Sequence, residues 1–172
     1  FRIQPAGVSK EWLTSNSYDR MFRCAEDQRV AICPLIDIEY LSALRIMCER
    51  FPQTNIVVDH LCRIGSDGAI KKEHIDELCL LADYPNTYVK VSAFYALGKK
   101  LSPYKDLYSL IEQVYKAFGP ERLMWGSDSP YQVIGGHNYR DSFDLIDRHL
   151  DFVSPSGRNY VLRDTAKKIF FK

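Results

Sequence analysis

Short apolar runs alternate with longer amphipathic segments along this chain. The runs cover residues 1–5, 29–34, 55–60, 87–92 and 122–128. In the segments between them, apolar residues recur every three or four positions, which is typical of a helix with one buried face. This pattern predicts helices over residues 18–28, 38–51, 72–84, 104–118 and 138–152, and, after a turn at 155–157, a closing helix that ends near residue 171. Strands that alternate with helices predict an α/β fold with a parallel sheet.

The strand and helix pattern leaves two such folds open. Five strand–helix units suit either an open doubly wound sheet or part of a closed barrel. A complete (β/α)8 barrel takes about 250 residues, so a chain of 172 residues would hold about five of its eight units in one domain, 1–172. The first residue is Phe1, inside a predicted strand, so we expect a preceding segment to be missing. That segment, or a second copy in a homo-oligomer, would then cover the open strand edges.

Composition excludes some partners. With 46% apolar residues and a net charge of +1, the chain can build a core and carries no excess of basic residues, so no nucleic-acid partner is expected. No stretch approaches the roughly 20 apolar residues of a membrane span, so no membrane partner is expected either. Five cysteines, an odd number without a CxxC pair, predict reduced thiols in a cytoplasmic protein.

Two runs end in a side chain that can transfer protons or bind a metal. His60 closes the third run and Asp128 closes the fifth. By strand alternation, His60 shares a face with Ile56 and Val58. Parallel α/β folds place their chemistry at the carboxyl ends of strands, so we expect the two side chains at one mouth. The alternatives are a structural histidine at a strand end and an aspartate in a turn.

Four segments together resemble the amidohydrolase-2 family of TIM-barrel hydrolases and lactonases. Residues 56–63 (IVVDHLCR) resemble its "vidHlGrp" motif, and residues 86–92 (NTYVKVS) resemble "pNvyvKlSg". Residues 122–130 (RLMWGSDSP) resemble "RlmfGSDwP", and residues 160–170 (YVLRDTAKKIF) are similar to the closing helix. The order of the four is specific, whereas residues 1–51 match more loosely. Cys62 and Ile64 depart from the Gly and Pro of the pattern.

The resemblance implies a fold and a reaction. It implies a (β/α)8 TIM barrel with His60 on the fifth strand and Asp128 on the eighth. It implies hydrolysis of a lactone, ester or amide bond in a small carboxylated substrate, with Asp128 deprotonating water and His60 polarising the carbonyl. The family's His-x-His pair is absent from this sequence. Metal-using members need that pair, so His60 and Asp128 are metal ligands, for zinc above all, only if this is such a member; the lactonase type needs no cofactor.

Other polar residues near the strand ends are candidate substrate contacts. Lys90 and Ser92 share a strand face, where Lys90 could form an interior ion pair and Ser92 could touch the substrate. Arg63 could clamp a substrate carboxylate, and Tyr131 would lie over the mouth. We expect His137, in a glycine-containing loop, to be solvated and not catalytic.

Two rival functions stay open. One is a metal-dependent decarboxylase of the same family, which would release carbon dioxide where a lactonase opens a ring. The other is a truncated, non-catalytic fragment, inactive alone, as the open strand edges would suggest.

Overall fold

The computed structural model of the chain describes residues 1–5, 9–10 and 12–171. Its strands, all parallel, are β1 (Arg2–Ile3), β2 (Cys33–Pro34), β3 (Ile56–Val58), β4 (Thr87–Ser92) and β5 (Leu123–Gly126). β1 pairs with β2, and β4 lies between β3 and β5. A parallel bridge between Ile32 and Ile56 joins β2 to β3. Each strand therefore lies beside the next one in sequence, as in the wall of a β/α barrel.

The helices lie in the predicted segments. They are α1 (Asn16–Gln28), α2 (Leu41–Arg50), α3 (Lys72–Cys79), α4 (Tyr108–Phe118), α5 (Tyr139–Asp144), α6 (Pro155–Asn159) and α7 (Thr165–Phe170). Helix α3 ends before the predicted residue 84, and α4 begins after the predicted residue 104. In α4, the buried side chains form one stripe, and Gly119 ends the helix at a φ of 72° that favours glycine. No helix of the described residues is long and apolar enough to cross a membrane.

The predicted turn at 155–157 is wrong, because these residues begin α6. The Ser154 hydroxyl accepts a hydrogen bond from the Gly157 backbone N–H at 3.1 Å, and Pro155 occupies the first helical position, where a missing N–H costs nothing. The predicted helix over 138–152 is also shorter, since α5 passes into a π-helical turn over Leu145–His149.

The two faces of the sheet bury different layers. Ile56, Val58, Val89 and Val91 belong to the large hydrophobic cluster that packs the strands against the helices. The alternate strand positions face the other way and form a smaller cluster of Ala31, Cys33, Val57, Tyr88 and Met124, together with Ile169 of α7. This second face corresponds to a barrel interior, because its polar continuation at the carboxyl ends of the strands lines a cavity.

Strands β3 and β5 end earlier than the apolar pattern predicts. β3 ends at Val58, and residues 60–63 follow with left-handed backbone angles, His60 at φ 54°. β5 ends at Gly126, and Asp128 has a φ of 51°. Both functional candidates therefore sit on sharply turned backbone just beyond their strands, a position in which side-chain direction no longer follows strand alternation.

Candidate active site

A cavity of about 570 Å³ opens at the carboxyl ends of the strands. Both His60 and Asp128 line it. The other polar side chains in its wall are those of Arg2, Gln4, Arg63, Ser66, Tyr95, Lys100 and Tyr131. Its volume is that of a small-molecule site, and three cationic side chains around it favour an anionic ligand.

His60 and Asp128 converge in this cavity. The His60 Nε2 atom lies 3.6 Å from the Asp128 Oδ1 atom, and the two side chains are only 10% and 15% exposed. A base and an imidazole held this close, with most of the solvent excluded, can act on one bound molecule.

Local backbone geometry, and not strand alternation, brings His60 to the mouth. Ile56 and Val58 face the helices, so the expectation that His60 shares their face and thereby reaches the mouth is wrong. The left-handed turn at His60 rotates its side chain to the interior side of the wall. There Ser92 Oγ and His60 Nδ1 are hydrogen bonded at 2.8 Å.

This environment keeps the imidazole neutral. Burial lowers the pKa of His60, and the nearby Asp128 carboxylate offsets that effect only in part. When Ser92 donates to Nδ1, the proton sits on Nε2, the atom that faces Asp128. A neutral Nε2–H is a hydrogen-bond donor for a developing negative charge on a substrate oxygen.

The second carboxylate oxygen of Asp128, Oδ2, is hydrogen bonded to a different residue from the one that Oδ1 faces. The Tyr95 hydroxyl donates a hydrogen bond to Asp128 Oδ2 at 2.8 Å. Burial raises the pKa of Tyr95 above its usual range, and the hydrogen bond to the Asp128 carboxylate raises it further. The phenol therefore stays protonated and remains a donor. The Oδ1 atom is left to face His60.

A buried ion cluster lies beside the cavity. The Asp59 carboxylate is fully buried and lies 2.6 Å from Lys90 Nζ and 2.8 Å from Arg2 Nε. Lys90 therefore forms the interior ion pair that its strand face allowed. It does not line the cavity, so its assignment as a substrate contact is not supported.

The remaining predicted residues occupy different places. Arg63 lines the cavity with its side chain 45% exposed and its Nη1 3.3 Å from Asp37 Oδ2. Tyr131 lines the rim and is 60% exposed. Ser92 is buried against His60, so it orients the imidazole and is not among the lining residues. His137 is half-buried and hydrogen bonded to Tyr104, which corrects the expectation that it is solvated.

Sequence reasoning missed three residues of this site. Asp59 was identifiable, since alternation puts it on the interior face with Val57. Arg2 was identifiable too, because it shares a strand face with Gln4, another lining residue. Tyr95 carried no such signal, since it lies beyond β4 after a left-handed residue, Ala93.

The described residues do not by themselves fit a metal site. Among them, no three His, Cys, Asp or Glu side chains are grouped to hold a metal ion. His60 and Asp128 offer two ligands, whereas a catalytic zinc takes three from the protein.

Comparison with known proteins identifies relatives of this chain. The profile of the amidohydrolase family matches residues 1–172. An L-fucono-1,5-lactonase of Burkholderia ambifaria is 31% identical over 112 residues, which are 63% of this chain and 37% of that protein.

Solved structures share the fold at low sequence identity. A zinc-bound amidohydrolase from Burkholderia multivorans superposes with a TM-score of 0.85 at 20% identity, over 98% of this chain and 63% of its own length. A probable 2-pyrone-4,6-dicarboxylic acid hydrolase from Acinetobacter baumannii, solved with citric acid, gives 0.77 at 21% identity over 98% and 62%. The predicted barrel fold is thereby confirmed, and the chain spans less than two thirds of each of these relatives.

Proposed function

Because the chain belongs to the amidohydrolase family, we propose that the intact protein hydrolyses a lactone, ester or amide bond in a small carboxylated molecule. The observation that carries this proposal is the approach of His60 Nε2 to Asp128 Oδ1, at 3.6 Å, in the wall of one cavity. We further propose that residues 1–172 belong to one barrel domain, since one large hydrophobic cluster runs from Trp12 to Val161. The cytoplasmic location stays a prediction.

Asp128 is the proposed base. A water molecule beside Oδ1 gives up a proton to the carboxylate as its oxygen adds to the substrate carbonyl. The tetrahedral intermediate then collapses, the carbon–oxygen or carbon–nitrogen bond breaks, and Asp128 returns the proton to the leaving atom. In a lactone, this sequence yields the open hydroxy acid with no net change in the enzyme.

His60 is the proposed electrophile. Its neutral Nε2–H donates to the carbonyl oxygen, which becomes an oxyanion when water adds. Loss of one such preorganised donor lowers kcat by a factor of about 10² to 10³ in other hydrolases. Ser92 supports this role by fixing the ring at Nδ1.

The cavity wall suits an anionic substrate. Arg2, Arg63 and Lys100 all line it. Arg2 contacts Asp59 through Nε, and its guanidinium fork offers the geometry of a bidentate contact to a substrate carboxylate. Tyr131, at the rim, is a further proposed substrate contact.

A divalent ion at this site would need ligands beyond those of the described residues. The Burkholderia multivorans relative contains zinc, but the two ligands offered here, His60 and Asp128, are too few among the described residues. When bound, such an ion would act as a Lewis acid on the substrate carbonyl.

A substrate panel on the intact protein tests the proposal. 2-Pyrone-4,6-dicarboxylate, which carries two carboxylates, is compared with L-fucono-1,5-lactone, which is uncharged; these are the compounds for which two relatives are named. We expect the lactone ring to open, which NMR detects, and the carboxylated compound to be turned over faster than the uncharged one. His60→Gln should remove the activity, whereas His149→Gln, a change at an exposed histidine, should not.

The product separates the candidates. Release of carbon dioxide from an aromatic acid without ring opening would favour the decarboxylase and contradict the hydrolase. No turnover of either substrate class by the folded intact protein would favour a non-catalytic role.

A further inference from the structure

The two oxygens of Asp128 have different neighbours. Oδ2 accepts the hydroxyl hydrogen bond of Tyr95 at 2.8 Å. Oδ1 lies 3.6 Å from His60 Nε2. An aspartate carboxylate turns readily about its last side-chain bond, because that torsion has broad minima. A donor fixed on one oxygen therefore determines where the other oxygen points.

Tyr95 has buried neighbours in sequence and an aromatic contact. It lies in the short 3-10 turn Phe94–Ala96, directly after β4, between the fully buried Phe94 and Leu97. Its ring centre is 6.0 Å from that of His137, against which it packs at an angle of 59°. The half-buried ring is therefore packed against His137, and its hydroxyl reaches Asp128.

The loop that carries Asp128 rests on the same aromatic cluster. The buried Gln132 donates its backbone N–H to the Asp128 carbonyl oxygen at 3.3 Å, and its side-chain nitrogen donates to the Tyr104 hydroxyl at 2.9 Å. His137 stacks on Tyr104, and its Nδ1 is hydrogen bonded to the same hydroxyl at 3.0 Å. Both the donor and the acceptor of the Tyr95–Asp128 bond are thus linked to one cluster of Tyr104, Gln132 and His137.

We propose that Tyr95 is a positioning residue that orients Asp128, so that Oδ1 faces the reacting water and His60. This inference rests on the proposed function. Tyr95 moves no proton in the reaction; its hydroxyl fixes the plane of the carboxylate. A small misplacement of a reacting group lowers the rate of the chemical step without a matching loss of substrate binding.

Tyr95→Phe is the test, since it removes the hydroxyl and keeps the ring. Steady-state kinetics on the intact protein, with the lactone of the panel that is turned over, should give kcat about tenfold lower and KM within twofold of the wild type. Tyr160→Phe, which removes a hydroxyl at a 37% exposed surface position, should leave both constants unchanged. Asp128→Asn is measured in parallel.

The outcomes separate the inference from the function on which it rests. An unchanged kcat in Tyr95→Phe, with Asp128→Asn inactive, would overturn the positioning role and leave the hydrolase intact. A raised KM with unchanged kcat would make Tyr95 a substrate contact and also overturn it. Full turnover by Asp128→Asn would overturn the proposed function and this inference together.

Discussion

The buried pair of Lys90 and Asp59 should be far more costly to break than a surface pair of the same length. Lys90 Nζ lies 2.6 Å from Asp59 Oδ1, with side-chain exposures of 19% and 0%. At an effective dielectric constant of about 20, the attraction at this distance is about 6 kcal/mol. Removal of one partner from a buried pair costs about 3–5 kcal/mol, because the other charge stays buried. Arg2 still faces the other Asp59 oxygen, so we expect Lys90→Met to lower the free energy of unfolding by about 3 kcal/mol.

A surface pair supplies the control. Lys116 Nζ also lies 2.6 Å from its partner, Glu112, but these side chains are 69% and 40% exposed. Lys116→Met should cost less than about 0.5 kcal/mol. Urea unfolding of the intact protein, followed by circular dichroism, measures both, and Asp59→Asn in the Lys90→Met background should restore part of the loss. Equal, small losses for the two lysine variants would refute the reasoning that burial sets the cost.

Three further predictions concern the site and its support. Ser92→Ala should lower kcat about tenfold in steady-state assays, because Nδ1 of His60 loses its partner; full activity would contradict this. Burial lowers the pKa of His60 in the folded state, so the neutral ring stabilises the fold above the ordinary value of about 6.5, and this contribution is lost as the pH falls. The His60→Gln variant should therefore lose less stability than the wild type between about pH 7 and 5 in urea titrations, and parallel losses would argue against it. Gly65→Ala should destabilise more than Gly119→Ala in thermal unfolding, since both have positive φ but only at Gly65 would the added carbon meet backbone, at 2.9 Å from the Gly98 nitrogen; equal shifts would contradict this.

The strand pattern predicted the wall of the fold well and the strand ends poorly. β4 has the predicted bounds, because its β-branched and aromatic residues are buried on both faces. β3 and β5 stop short of the predicted ends, where the apolar run continues into turned backbone. A run of apolar residues indicates buried positions. Residues in a tight turn can stay buried after the strand's hydrogen bonds to its neighbour have ended.

The candidate site was predictable as far as residue type and position carry information. His60 and Asp128 were found because polar groups that close apolar runs at one edge of a parallel sheet meet in space. The prediction of the strand face on which His60 lies was wrong, since its left-handed backbone depends on packing around residues 60–63. Tyr95 could not be found, because its contact with Asp128 joins two loops whose paths only the fold determines.

Turnover by Asp128→Asn, in the intact protein and with the lactone that the wild type opens, tests the central claim most directly. The exchange keeps the size of the side chain and removes its basicity. We predict that ring opening falls by at least about a thousandfold, with an unchanged circular dichroism spectrum, while Asp151→Asn, at an exposed position, keeps wild-type rates. Ring opening within tenfold of the wild-type rate would contradict the assignment of Asp128 as the base.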